Sequence, residues 1–265
     1  MGYSVDRSAV FVLAALVCLQ LGACATQPAA ADGSAANGSK PARSPADPWE
    51  PVNRPIHVFN AAIDGVSLRL LAKGYQKVVP AFMRRGVGNF SQNLRSPLHI
   101  INNFLQGKIR SGFRQTGRFV MNTTFGIGGL MDVATDAGIE VEIEDFGQTL
   151  AVWGVPDGPF VIIPFLGPST LRDATMIPLN FLADPLLHYD NASVRDKIYL
   201  VRFIDVRARL LPASALIRAA YDPYIALREA LLQRRRYLIY DGNPPEDDDF
   251  YDEFLDEEDE FLEDE

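Results

Sequence analysis

The sequence predicts a mainly helical single domain interrupted by one long hairpin-like excursion. Three observations carry that expectation. Between the two ends of the 265-residue chain, residues 47–243 have a length suited to one domain and show no internal repeat. Apolar residues in this body recur at helical spacing in several separate stretches. Strand-like alternation is confined to Ile139–Glu144 (IEVEIE).

Ahead of the body, residues 1–23 read as a targeting segment. Ala9–Leu21 is an apolar run of thirteen residues preceded by Arg7, too short for the roughly 30 Å of hydrocarbon that takes about twenty residues to span. A charged start, a short apolar run and small residues at its end describe a secretory signal peptide. Leu21-Gly22-Ala23-Cys24 resembles the lipobox of bacterial lipoproteins, which makes Cys24 the expected lipid anchor. The only other cysteine, Cys18, leaves with the signal peptide, so the expected mature body holds no thiol and no disulfide. Several acyl chains, each buried CH₂ contributing about 0.8 kcal/mol, hold a protein lastingly on a membrane. Ala25 follows the cysteine where inner-membrane lipoproteins often carry Asp, which favours the outer membrane. Residues 24–46 continue as Ala, Gly, Ser and Pro without an apolar period, a flexible tether of on the order of 25 Å.

Within the body, Ala81–Arg95, Pro97–Gln106 and Ile109–Thr124 read as helices with Gly or Pro at their joints. The alternating Ile139–Glu144 predicts a half-exposed strand, and Gly138–Phe165 as a whole predicts the excursion. Gly158–Leu171 (GPFVIIPFLGPSTL) has no charge but three prolines and two glycines, a composition that neither a helix nor a central strand accommodates. Ala192–Leu211 has helical spacing with Ser193 and Asp196 as a capping pair. Asp222-Pro223 supplies a cap and a first-turn proline for a helix running toward Asp241-Gly242. Residues 244–265 form an acidic tail. Of the chain's 34 acidic residues fourteen lie in Glu246–Glu265, which has no Lys or Arg. The remaining 20 face 25 basic residues, so a body of net charge +5 lies behind the overall −9. The tail reads as a disordered, solubilising end, or as a helix whose Phe250, Phe254 and Phe261 dock on a basic surface.

Catalytic and metal signatures are weak. No Gly-x-Ser-x-Gly elbow is present. His57, His99 and His188 lie far apart with no His-Glu-x-x-His pattern. Gly126-Ile127-Gly128-Gly129 follows a helix rather than a strand, which suits a joint for close helix packing better than a phosphate loop. Arg110, Arg114 and Arg118 share one helix face. A solvated face explains such a row; in a membrane-bound protein the same row can meet lipid phosphates or an acidic partner. The expectation is therefore a non-enzyme with no cofactor, no metal and no nucleic-acid partner.

Ordered blocks then resemble the MlaA (VacJ) family of outer-membrane lipoproteins. They are Asp47-Pro48-Trp49-Glu50 with Asn53-Arg54 and Phe59-Asn60; Asn89-Phe90, Asn93-Leu94, Pro97 and Asn102 with Phe104-Leu105-Gln106-Gly107; Arg118-Phe119, Asn122, Gly126, Gly128-Gly129 and Asp132-Val133-Ala134; Phe146-Gly147, Thr149-Leu150, Gly154, Gly158-Pro159, Pro164-Phe165, Gly167 and Thr170-Leu171-Arg172-Asp173; and Asp222-Pro223-Tyr224 with Arg228-Glu229-Ala230. The long acidic tail is no part of the match. The resemblance implies a ring-like helical body in the periplasmic leaflet of the outer membrane with a central amphipathic channel. It implies association with a trimeric porin, and transfer of phospholipid to a soluble periplasmic carrier so that the outer leaflet keeps its asymmetry. Moving a headgroup through hydrocarbon costs at least several kcal/mol, and a polar lumen with a greasy rim lowers that barrier. On this basis Gly158–Leu171 is expected beside the lumen, with Phe160, Val161, Ile162, Ile163, Phe165 and Leu166 on acyl chains and Gly154 and Gly158 as hinges. The alternatives are a buried loop in an ordinary core and, for the whole protein, an envelope scaffold that carries no lipid.

Overall fold

The computed structural model describes residues 44–245. Helices α1 (Glu50–Val66) and α2 (Leu68–Val78) open the body, and α3 (Ala81–Leu105) and α4 (Ile109–Thr124) follow and pack on each other. A short turn of helix, α5 (Val133–Asp136), and α6 (Phe146–Val152) lead to the strands β1 (Phe160–Ile163) and β2 (Gly167–Thr170). Then follow α7 (Leu171–Leu182), a 3₁₀ turn at Pro185–His188, α8 (Ala192–Arg209), α9 (Leu211–Ala219) and α10 (Pro223–Ile239). The body is mainly helical, as the periodicity predicts. Among the described residues no helix is long and apolar enough to cross a membrane.

Four expectations are corrected by the tertiary structure. Ala81–Arg95 and Pro97–Gln106 are one helix, with Pro97 inside α3. Proline at that position removes one ladder hydrogen bond. Buried residues on both sides of it, Gly88 and Asn93 before and Leu98, His99, Asn102 and Asn103 after, keep the helix packed through the gap. Ile139–Glu144 is irregular rather than a strand. Its polar backbone groups are taken by helix side chains instead of a neighbouring strand: Gln115 donates to the Glu140 carbonyl (2.9 Å), Arg118 to the Ile139 carbonyl, and Gln148 to the Ile143 carbonyl (3.0 Å). The excursion Gly138–Phe165 contains helix α6, and the true hairpin runs from Phe160 to Thr170. Finally, α8 is capped by Asn191, whose side chain accepts from the Val194 N–H (3.2 Å), not by Ser193 and Asp196.

The proline-rich Gly158–Leu171 does form regular structure, because its sheet has only two strands. β1 and β2 are antiparallel with Phe160 opposite Thr170 and Ile163 opposite Gly167. Both strands are therefore edges, where Pro168 needs no ladder partner on its outer side. β1 nevertheless has its outer edge filled. The Phe160 N–H donates to the Ala46 carbonyl (2.8 Å). Asn53 donates to the Phe160 carbonyl (3.0 Å) and accepts from the Ile162 N–H (2.9 Å). Two turns further along α1, Asn60 donates to the Ile163 carbonyl (3.0 Å) and accepts from the Phe165 N–H (2.8 Å). Two amide side chains on one helix face thus stand in for a third strand.

Packing runs in a closed circuit. α1 packs on α2, α2 on α8, α8 on α3, α3 on α6, α6 on α7, and α7 on the hairpin, which returns to α1. Helix α10 braces the hairpin side through contacts with β2 and α6. Burial within this circuit is inverted. Among the described residues seventeen buried side chains are polar or charged and eight are apolar, so hydrogen bonding rather than oil fills the interior. Large apolar side chains such as Phe82, Phe113, Phe125, Trp153 and Leu216 are exposed instead.

Candidate functional site: the hairpin and its mounting

The hairpin is mounted on a buried polar cluster. Asp47 is fully buried and accepts from Asn53 (2.9 Å), from the Tyr224 hydroxyl and from the Arg228 guanidinium (3.4 Å). Burial, followed by the neighbouring Asp47 carboxylate, pushes the Tyr224 phenol up, so it remains a donor. Phe160 and Ile162 close over this cluster in an apolar group with Tyr224, Ile56, Leu231 and Leu232. The Phe160 and Tyr224 rings meet edge to face at 6.1 Å. Arg54 ties α1 to the start of α10, reaching Glu50 at 2.6 Å and Asp222 at 2.7 Å while lying 4.5 Å over the Tyr224 ring. Its bond holds the Asp222 carboxyl below the usual range. On the far side of the hairpin, Arg235 makes a two-pronged contact with Asp145 (2.7 Å each) and reaches Asp173 at 3.0 Å.

This mounting splits the six hairpin residues expected on acyl chains. Phe160 (0% exposed) and Ile162 (4%) face the protein core, and their assignment to lipid is corrected: alternation along a strand points them inward. Val161 and Ile163 are half-buried on the opposite face. Phe165 (68%) and Leu166 (65%) stand exposed at the tip. The tip backbone is unusual. Phe165 has φ +65°, a conformation that bulky residues avoid, and is held there by Asn60 and by an edge contact with the Phe59 ring at 5.3 Å. Gly154 (φ +90°) ends the turn after α6 and Gly158 (φ +67°) precedes β1, so both lie where the chain enters the hairpin. A side chain at Gly154 would meet open space, whereas one at Gly158 would press on Leu171 at 3.1 Å.

The arginine row is not one surface. Arg110 and Arg114 are exposed, and Arg114 pairs with Glu142. Arg118 is buried, bonded to Asp132 (2.6 Å), to the Thr135 hydroxyl (2.8 Å) and to the Ile139 carbonyl. A shared phosphate-facing role for the three is therefore corrected. Four-residue spacing shares a face only approximately, and the irregular segment after α5 covers one end of it. Gly129 (φ +93°) lies so close to α3 that a side chain would overlap Asn93, a close approach in keeping with the packing-joint reading of its glycines. The three histidines are engaged separately: His57 edges the Tyr224 ring at 5.8 Å, His99 meets Glu144 and His188 meets the Leu182 carbonyl at 2.9 Å. Among the described residues no group of His, Cys, Asp and Glu is arranged to hold a metal. Cys24 and the acidic tail lie outside the described residues.

Sequence reasoning missed Asn53 and Asn60 as the residues that fix the hairpin. Their signal was present as two amides seven residues apart, two helix turns, preceding a charge-free segment that needed partners for its backbone.

Comparison with known proteins agrees with this architecture. Residues 45–238 match the family model described as MlaA lipoprotein. The chain is 36% identical over 203 residues to the intermembrane phospholipid transport system lipoprotein MlaA of Escherichia coli, covering 74% of this chain and 79% of that one. It is 32% identical over 212 residues to the protein of the same name from Haemophilus influenzae, covering 78% and 84%. An uncharacterised protein of Rickettsia conorii is 37% identical over 195 residues, covering 73% and 78%. A solved structure described as the structural basis for maintenance of bacterial outer membrane lipid asymmetry superposes with a TM-score of 0.65 at 37% identity, covering 74% of this chain and all of the other. The chain belongs to the MlaA lipoprotein family.

Proposed function

We propose that this protein is an outer-membrane lipoprotein that removes phospholipid from the outer leaflet through a passage in its body and passes it to a soluble periplasmic carrier, so maintaining lipid asymmetry. The inverted burial is the observation that carries the reading. An interior of polar side chains under an apolar exterior suits a body set among acyl chains that must offer headgroups a wet route. The closed packing circuit supports a ring around such a route. The phospholipid-transport names of relatives from Escherichia coli and Haemophilus influenzae point the same way. In this reading Cys24 carries the lipid anchor on the periplasmic face of the outer membrane, and a porin trimer steadies the body there. Phe165 and Leu166, with Val161 and Ile163 beside them, meet acyl chains at the mouth, and Gly154 and Gly158 let the hairpin swing. No residue acts as a nucleophile.

The test is purification of the full chain in a mild maltoside detergent, followed by mass spectrometry of co-purified lipid. Intact phospholipid, with no lysophospholipid appearing on incubation, is expected. A preparation free of phospholipid would leave the protein an envelope scaffold, and lysophospholipid would make it a hydrolase.

A further inference from the structure

We propose that a cavity between α2, α3 and α8 binds the phosphate group of an anionic ligand, with Arg84, Arg85 and Arg209 as its cationic wall. The cavity measures about 320 Å³, and its polar lining includes Gln76, Arg84, Arg85, Asn89, Asp205 and Arg209. The lining holds three arginines and one aspartate, an excess of two positive charges that the single negative charge of a phosphodiester would offset in part.

The carboxylate is already committed. Asp205 is buried, is bonded by Arg209 at 2.6 Å, and accepts from the Tyr75 hydroxyl at 3.1 Å. Burial, reinforced by Asp205, raises the Tyr75 phenol to about 12, so it stays protonated and a donor. Gln76 is likewise committed, donating to the Ala208 carbonyl at 2.8 Å. Arg84 is different: its buried Nε has no hydrogen-bond partner among the described residues, so its charge is not committed to a carboxylate as that of Arg209 is. Arg209 reaches the cavity across Gly88, where a side chain would overlap its guanidinium group. The absence of a Cβ on α3 therefore lets a cation from α8 lie over the α3 backbone. The sequence reading singled out a different arginine row, and none of these three belongs to it.

This deepens the transport reading, on which it rests for the identity of the ligand: the phosphate is that of a phospholipid headgroup. Free phosphate offers the same oxygens, so the two sources need separate arms. Calorimetric titrations of the full chain in maltoside would use monomeric dihexanoyl phosphatidylglycerol, dihexanoylglycerol as the phosphate-free control, and inorganic phosphate. Replacing both arginines, R84Q/R85Q, is expected to weaken the phospholipid probe about tenfold or more, while R84K/R85K, which keeps the charges without the guanidinium fork, falls between that variant and the parent. G88A, which displaces Arg209 without changing charge, is expected to weaken the same probe. Dihexanoylglycerol binding should be equal in all variants. If R84Q/R85Q does not fold, R85Q alters only an exposed side chain and carries the same comparison.

Unchanged affinity for the phospholipid probe in folded R84Q/R85Q or R85Q overturns the site. When that variant also co-purifies with phospholipid, the site fails and the transport reading survives. Tight, arginine-dependent binding of inorganic phosphate without binding of the lipid probe supports a phosphate site but overturns its assignment to a headgroup. A wild-type chain free of co-purified phospholipid tells against transport itself.

Discussion

His99 carries its ring inside the molecule, with Nδ1 2.7 Å from the Glu144 carbonyl oxygen and 3.2 Å from the Glu144 N–H. A neutral ring nitrogen cannot donate and accept together, and the shorter contact assigns the proton to Nδ1. Burial holds this histidine neutral and lowers its pKa from the ordinary 6.5 to about 4. In the unfolded chain the ring takes a proton near 6.5, so stability is complete above that pH. It is lost progressively as pH falls toward 4, at about 1.4 kcal/mol per pH unit for this one group. Urea unfolding across that window should show the decline, and H99Q should flatten it. Equal slopes for both proteins would mean that His99 does not titrate in this way. The sequence showed His99 only as one of three scattered histidines without a metal or catalytic pattern; its neighbour across forty-five residues is a backbone carbonyl, which no local pattern announces.

At the scale of the element, the hairpin separates two kinds of apolar residue that look alike in the sequence. Phe160 and Ile162 alternate inward with Tyr224, while Phe165 and Leu166 occupy a tip bent through a left-handed phenylalanine. A charge at Ile162 therefore destabilises the fold by about 3 kcal/mol or more, since it buries an unpaired ion. The informative variant is L166D, whose side chain is exposed. L166D should unfold within a few degrees of the parent while losing phospholipid transfer between vesicles, and I162D should lose both. Normal transfer by L166D would remove the tip from the pathway. Composition exposed the segment as unusual. Which residues face inward followed from a register that only pairing with β2 and clamping by α1 could set.

Across the whole molecule, the circuit of packed elements closes where α1 meets the hairpin, and Asn53 and Asn60 provide four of the hydrogen bonds at that closure. Leucine at both positions leaves the buried Phe160 carbonyl and Ile162 N–H unpaired, at about 1–3 kcal/mol for each, and frees the less buried Ile163 carbonyl and Phe165 N–H to water. Hydrogen exchange of N53L/N60L should accelerate over residues 160–170 ahead of α3 and of the α4 packed on it, neither of which contacts the hairpin extensively. Acceleration spread evenly over the chain would mean that the closure has no independent opening.

The sequence by itself determined the helical class, the start of α10 and the family, because these rest on helical periodicity, local capping and ordered short motifs. It also marked Gly158–Leu171 as unsuited to a central strand, and the segment forms a hairpin of two edge strands. Only the tertiary structure decided that Pro97 lies inside a helix, that IEVEIE gives its backbone to helix side chains, and that Arg118 is buried while Arg84 keeps an unpartnered donor. Local sequence sets what each backbone segment can adopt; distant side chains set which polar groups are satisfied. In a body whose interior is mainly polar, the second constraint governs most of the outcome.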